Sequence, residues 1–82
     1  MVQFMLIIEY DDDAFGKLVL WQSLPRIGDD VYFNCLPHGF YRVSRVYWQQ
    51  DGTIDVNCNA NFPIFTPEIC MQLELNGFTR LP

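Results

Sequence analysis

The chain is predicted to fold as a mainly β (α+β) domain: five strands in a small, strongly bent antiparallel sheet, with one short C-terminal helix. Three observations carry this. Between Leu24 and Cys58, short apolar runs are separated by turns rich in Pro, Gly and Asp, the pattern of hairpin-connected strands. Within one of those runs the apolar parity changes, from Tyr41 and Val43 to Val46 and Trp48. A β-bulge at Ser44-Arg45 would keep both pairs on the core side and bend the strand, and strong bending favours closure toward a barrel. Finally, Thr66-Pro67-Glu68 supplies an N-cap, a proline at the first helical position and an acid in the first turn.

Taken in order, Val2 to Tyr10 reads as the first strand. Val2, Phe4, Leu6, Ile8 and Tyr10 share one face, and Gln3, Met5, Ile7 and Glu9 the other. Apolar residues on both faces at its centre imply a strand covered on two sides, or an edge used for association. Asp11 to Gly16 is a polar turn in which Gly16 can take a positive φ. Lys17 to Gln22 returns as the second arm of a hairpin. Leu24 to Asp30 is a bend, with Asp29 bonding local backbone. Val31 to Leu36 is a strand with Val31, Phe33 and Cys35 inward, and Pro37-His38-Gly39 is a turn. Phe40 to Gln49 and Thr53 to Asn59 follow as strands around the Gln50-Asp51-Gly52 turn, with Ile54, Val56 and Cys58 on the core face. A helix is expected over Pro67 to Leu75, stopping at Asn76-Gly77. A hairpin over 66–81 competes with it, because Ile69, Met71, Leu73 and Leu75 alternate with polar residues and Asn-Gly is a strong hairpin dipeptide. Phe78 to Leu81 is an extended piece that docks on the sheet.

Eighty-two residues make one domain, 1–82. Half of them are hydrophobic and 16% are aromatic. A chain this short buries only about 60–65% of its unfolded surface, so apolar side chains exceed the places in one core, and the surplus reads as an interface. The net charge is −5, and the only bases are Lys17, Arg26, Arg42, Arg45 and Arg80. That supply is too small for a clustered basic face that neutralises phosphates, which argues against direct nucleic-acid binding. The longest apolar run, Phe4 to Ile8, is too short to span a bilayer. No secretory leader pattern is visible. An odd set of widely spaced cysteines reads as reduced, small core residues of a cytoplasmic protein.

Leu24-Pro25-Arg26-Ile27-Gly28-Asp29 followed by Val31, then Tyr41-Arg42-Val43, Val46, Trp48 and Asp51-Gly52, resembles small bacterial and phage-type proteins with SH3-like barrels. In those a Pro-x-x-Gly-Asp bend leads into a strand, and a Tyr-x-Val strand turns through Asp-Gly into the next. The resemblance covers about residues 24–59. It implies a fold, a habit of association and, for some members, an origin in mobile genetic elements. It carries no catalytic residue.

Chemistry-bearing constellations are weak. Cys35 and His38 have Cys-x-x-His spacing, and Cys58 and Cys70 would complete four zinc ligands. However, Cys35 and Cys58 run in phase with core residues, and His38 sits in a turn. A Cys–His nucleophile needs an accessible thiol of lowered pKa; only Cys70, in the first turn of the expected helix, feels a helix dipole. Asp11–Asp13 and Asp29-Asp30 lie in turns, where water keeps both partners alike, whereas acid–base catalysis needs carboxyls in different environments. No spaced calcium loop follows them. The chain therefore reads as a non-enzyme without metal or cofactor.

The strongest functional signal is aromatic. Tyr32 and Tyr47 fall out of phase with the core residues of their strands, and Trp21, Phe40 and Trp48 are close in the expected fold. With Arg42 and Arg45 between them, they form a typical interaction patch, since Trp, Tyr and Arg dominate binding hot spots. The sequence-based reading is a protein-interaction module, self-associating through an exposed first strand or an aromatic face, or binding another protein. A two-fold contact needs only one such surface. A small organic cation held by aromatics and carboxylates, and an acidic decoy of a nucleic-acid-binding protein, are the alternatives.

Overall fold

The computed structural model describes residues 1–82. β1 (Val2–Tyr10) and β2 (Asp13–Trp21) form the expected hairpin, in register from Val2–Trp21 to Tyr10–Asp13. Its turn is tighter than the sequence suggests. Only Asp11 and Asp12 join the strands, with Asp11 at φ 55°, a region Asp visits more readily than most residues. Ala14, Phe15 and Gly16 belong to β2, and Gly16 has no positive φ. It is small for packing instead: a Cβ there would lie 3.0 Å from Met5 Sδ and 3.1 Å from Leu81 Cδ1.

β3 (Asp30–Tyr32), β4 (Phe40–Trp48), β5 (Ile54–Asn59), the helix α1 (Pro67–Leu75) and β6 (Thr79–Arg80) follow. The sheet order is β3-β4-β5-β1-β2-β6. This corrects the expected architecture twice. There are six strands, because the Phe78–Leu81 piece contributes β6 on the free side of β2. The sheet is also mixed: β5 runs parallel to β1, from Met5–Asp55 to Glu9–Asn59. β1 is thus an interior strand, not an edge. Leu6, Ile7 and Ile8 are all buried, as expected for a strand flanked by a parallel neighbour and covered on both faces.

The bulge falls where parity requires it. The β4–β5 register shifts between Val43 and Arg45, so that Val43 pairs with Cys58 and Val46 with Val56. Ser44 is the extra residue, and its Oγ donates to the Asn57 carbonyl at 3.1 Å. The bend helps curl the sheet into a half-barrel around Phe4, Ile8, Phe15, Val43, Val56 and Cys58, all fully buried.

The strand expected over Val31–Leu36 is cut to three residues. The chain turns at Asn34-Cys35, where the Leu36 N–H donates to the Phe33 carbonyl at 3.2 Å. That turn sends Leu36 into the core and leaves Cys35 half-buried, the reverse of the parity reading. His38 and Gly39 follow with φ of 66° and 73°. A Cβ on Gly39 would fall 2.4 Å from Tyr32 Cε1. Gly39→Ala is therefore expected to cost about 2 kcal/mol, the left-handed backbone penalty plus displacement of the Tyr32 ring. Gly52→Ala, at φ 92° with nothing within 4 Å, pays only the backbone part. Thermal melts of the two variants check the order.

The helix occupies Pro67–Leu75, and the competing hairpin does not form. Thr66 Oγ1 accepts from the Ile69 N–H at 3.3 Å, and Asn76 Nδ2 donates to the Gln72 carbonyl at 2.8 Å. These caps satisfy end groups that a helix cannot pair internally. Leu73 is fully buried in the core, with Ile69 and Cys70 packed beside it. The helix thus helps cover the concave side of the sheet. No helix is long and apolar enough to cross a membrane.

Candidate interaction surface

Because Tyr41 and Val43 point into the core, Phe40 and Arg42 must point out. β3 repeats the pattern, with Val31 buried and Asp30 and Tyr32 exposed. Pairing of Tyr32 with Phe40 and of Asp30 with Arg42 puts all four on the convex face. Beyond the bulge, Val46 points inward, so Arg45 and Tyr47 return to the same convex face, opposite Asn57 and Asp55 of β5. Five of the seven residues singled out from the sequence, Tyr32, Phe40, Arg42, Arg45 and Tyr47, thereby share one exposed face. The bulge is what aligns them.

The two tryptophans do not join this face. Trp21 lies on the core side of β2, with its ring edge-on to Phe4 at 5.2 Å. Trp48 has the core parity of Val46, but it ends β4 beyond the curled interior and is 71% exposed.

The face is held in a defined geometry. The rings of Tyr32 and Phe40 meet edge-to-face at 5.0 Å, a favoured quadrupole arrangement. Arg42 Nε reaches Asp30 Oδ1 at 3.5 Å. Arg45 Nη1 donates to the Tyr47 hydroxyl at 3.0 Å while its guanidinium lies 5.9 Å from the Tyr47 ring centre. Arg45 Nη2 lies 3.5 Å from Glu9 Oε1, and Asn57 Nδ2 donates to Glu9 Oε2 at 3.2 Å. The Arg42–Asp30 pair is exposed and contributes little stability, whereas Glu9 is half-buried; both pairs orient the arginines. Asn57 Oδ1 is buried without a hydrogen-bond partner. Sequence reading missed Glu9 and Asn57. Their signal was a polar residue opposite a core parity on an interior strand.

Two shallow depressions open on either side of Asn59. One, of about 540 Å³, is bordered by Asp30, His38, Phe40, Arg42 and Phe62. The other, of about 420 Å³, is bordered by Glu9, Tyr10, Asp11 and Arg45. His38 lies edge-on to Phe62 at 5.1 Å, and neither lining includes a cysteine. No group of three or more His, Cys, Asp or Glu side chains is placed to hold a metal ion. All three cysteines are free. Burial pushes the thiols of Cys35 and Cys58 up, that of Cys58 to about 12, the opposite of what a nucleophilic thiol requires.

No protein-family model matches the chain, and comparison with curated proteins and with solved structures gave no match.

Proposed function

We propose that the protein is a non-enzymatic interaction module that docks another protein through the convex face of β3–β5. The observation that carries this is the coincidence of Tyr32, Phe40, Arg42, Arg45 and Tyr47 on one exposed face. Large amphipathic rings and oriented guanidiniums bury much area at low entropic cost, which is why such residues dominate hot spots. The resemblance of residues 24–59 to SH3-like barrels supports the same use, and the free thiols favour a reducing compartment such as the cytoplasm.

An organic cation is the competing occupant of an aromatic face, but Arg42 borders the same depression as Phe40 and Asp30 and opposes it. The decoy reading needs carboxylates along one face, whereas Asp11–Asp13, Asp29-Asp30 and Asp51 sit at separate turns.

A photo-cross-linking residue at Tyr47 or Phe40 is expected to capture a protein in the native cell, and one at exposed Met71 on the helix is not. Phe40→Ala and Tyr47→Ala should each weaken capture by a factor of ten or more, since a hot spot contributes about 2 kcal/mol or more. Equal capture from Met71, or none from either aromatic position, overturns the proposal.

A further inference from the structure

The other end of the sheet carries an unpaired, apolar strand edge. In β2 the Leu81 N–H donates to the Ala14 carbonyl at 2.8 Å, so Ala14 turns its backbone groups away from β1. Antiparallel strands alternate in this respect. Gly16, Leu18 and Leu20 therefore also point their N–H and C=O groups outward. β6 pairs with β2 only at Phe15 and Gly16, and no backbone partner meets Leu18 or Leu20. Both leucines are 57% exposed.

The usual protections of an edge are missing there. The β3 edge is three residues long with an acid at its start, and the β6 edge is two residues long. The segment Leu18-Val19-Leu20-Trp21 has no proline, glycine or charge, and an exposed hydrophobic edge of this kind is a template for strand pairing. Electrostatics selects the same place. Each chain carries −5, yet no acid occurs between Asp13 and Asp29, while Lys17 and Arg26 do. The edge strand itself therefore brings no acid to a contact between two acidic copies.

We infer that two copies pair β2 to β2 antiparallel across a two-fold axis at Leu20. Of the two residues with outward backbone groups in the free part of β2, Leu18 and Leu20, Leu20 is the one farther from the β6 pairing that ends at Gly16. Leu20 then exchanges both backbone hydrogen bonds with its own copy, Leu18 faces Gln22 of the second copy, and the sheet runs continuously through both molecules. An isologous contact of this type closes, so assembly stops at two. This goes beyond the proposed function, and it leaves the Tyr32–Tyr47 face free on both copies.

Light scattering at micromolar concentration is expected to give twice the 9.6 kDa chain mass. Leu20→Pro removes an N–H that bonds nothing within the chain, a change tolerated on an edge strand. It should keep the wild-type circular dichroism spectrum while weakening dimerisation at least tenfold. Leu20→Cys should cross-link to itself under oxidation, because a hydrogen-bonded antiparallel pair spans about 5.5 Å between Cα atoms, within disulfide reach. Leu18→Cys should not. A wild-type mass of a single chain, a folded Leu20→Pro dimer, or cross-linking at position 18 but not 20 overturns the inference. Phe40→Ala and Tyr47→Ala should leave the dimer mass unchanged, so failure of the partner face and failure of the edge pairing are read separately.

Discussion

Phe15→Ala is expected to leave the domain largely unfolded at ambient temperature. Phe15 is fully buried, packs against Phe65 with ring centres 5.1 Å apart, and carries Arg80 over its face at 4.8 Å. Truncating a buried phenylalanine costs about 3–5 kcal/mol, the lost transfer energy plus the cavity left behind. A domain of this length has only about 4–12 kcal/mol in total. The cavity would also open where β6 joins β2, since Phe15 pairs with Arg80, so the last strand should detach with it. Urea titration followed by tryptophan emission measures the loss, because Trp21 reports the core through its contact with Phe4. An unchanged midpoint would mean that this ring does not anchor the fold.

Raising the pH is expected to destabilise the protein through Cys58. The side chain is fully buried, and burial, reinforced by the nearby Glu9 carboxylate, pushes the thiol from its ordinary 9.0 to about 12. The folded state thus holds a proton that the unfolded chain releases. Below pH 9 both states keep it and stability is unaffected. Between pH 9 and about 12 the unfolded state alone ionises, and stability falls by about 1.4 kcal/mol per pH unit, roughly 4 kcal/mol in all. Cys58→Ala removes that slope while filling most of the same space. Cys35 and Tyr41, whose acidities are also weakened by burial, leave a shallower one. Denaturation midpoints across this window, compared between the two proteins, decide the matter. Parallel profiles would show that Cys58 does not titrate with unfolding.

The hairpin, the bulge and the helix were legible in the sequence because each is set by neighbours in the chain. Asp51-Gly52 and Thr66-Pro67-Glu68 select a local backbone conformation directly, and the parity switch between Val43 and Val46 leaves no regular strand that buries both. The convex placement of Tyr32 and Tyr47 followed from the same two-residue period. Glu9 escaped notice because its partners, Arg45 and Asn57, lie far along the chain. Trp21 and Trp48 were misplaced because parity assigns a side of the sheet and says nothing about where the curled interior ends.

The sequence by itself determined that this is a small, mainly β domain with a capped C-terminal helix, a bulged fourth strand and outward aromatics, since turn chemistry, capping and alternation act over a few residues. Only the tertiary structure decided that β5 lies parallel to β1, that a sixth strand closes part of the β2 edge, and that the first strand is central. Strand order depends on which distant surfaces bury each other at the least cost in chain entropy. That balance of long-range contacts leaves no mark in any short window of residues.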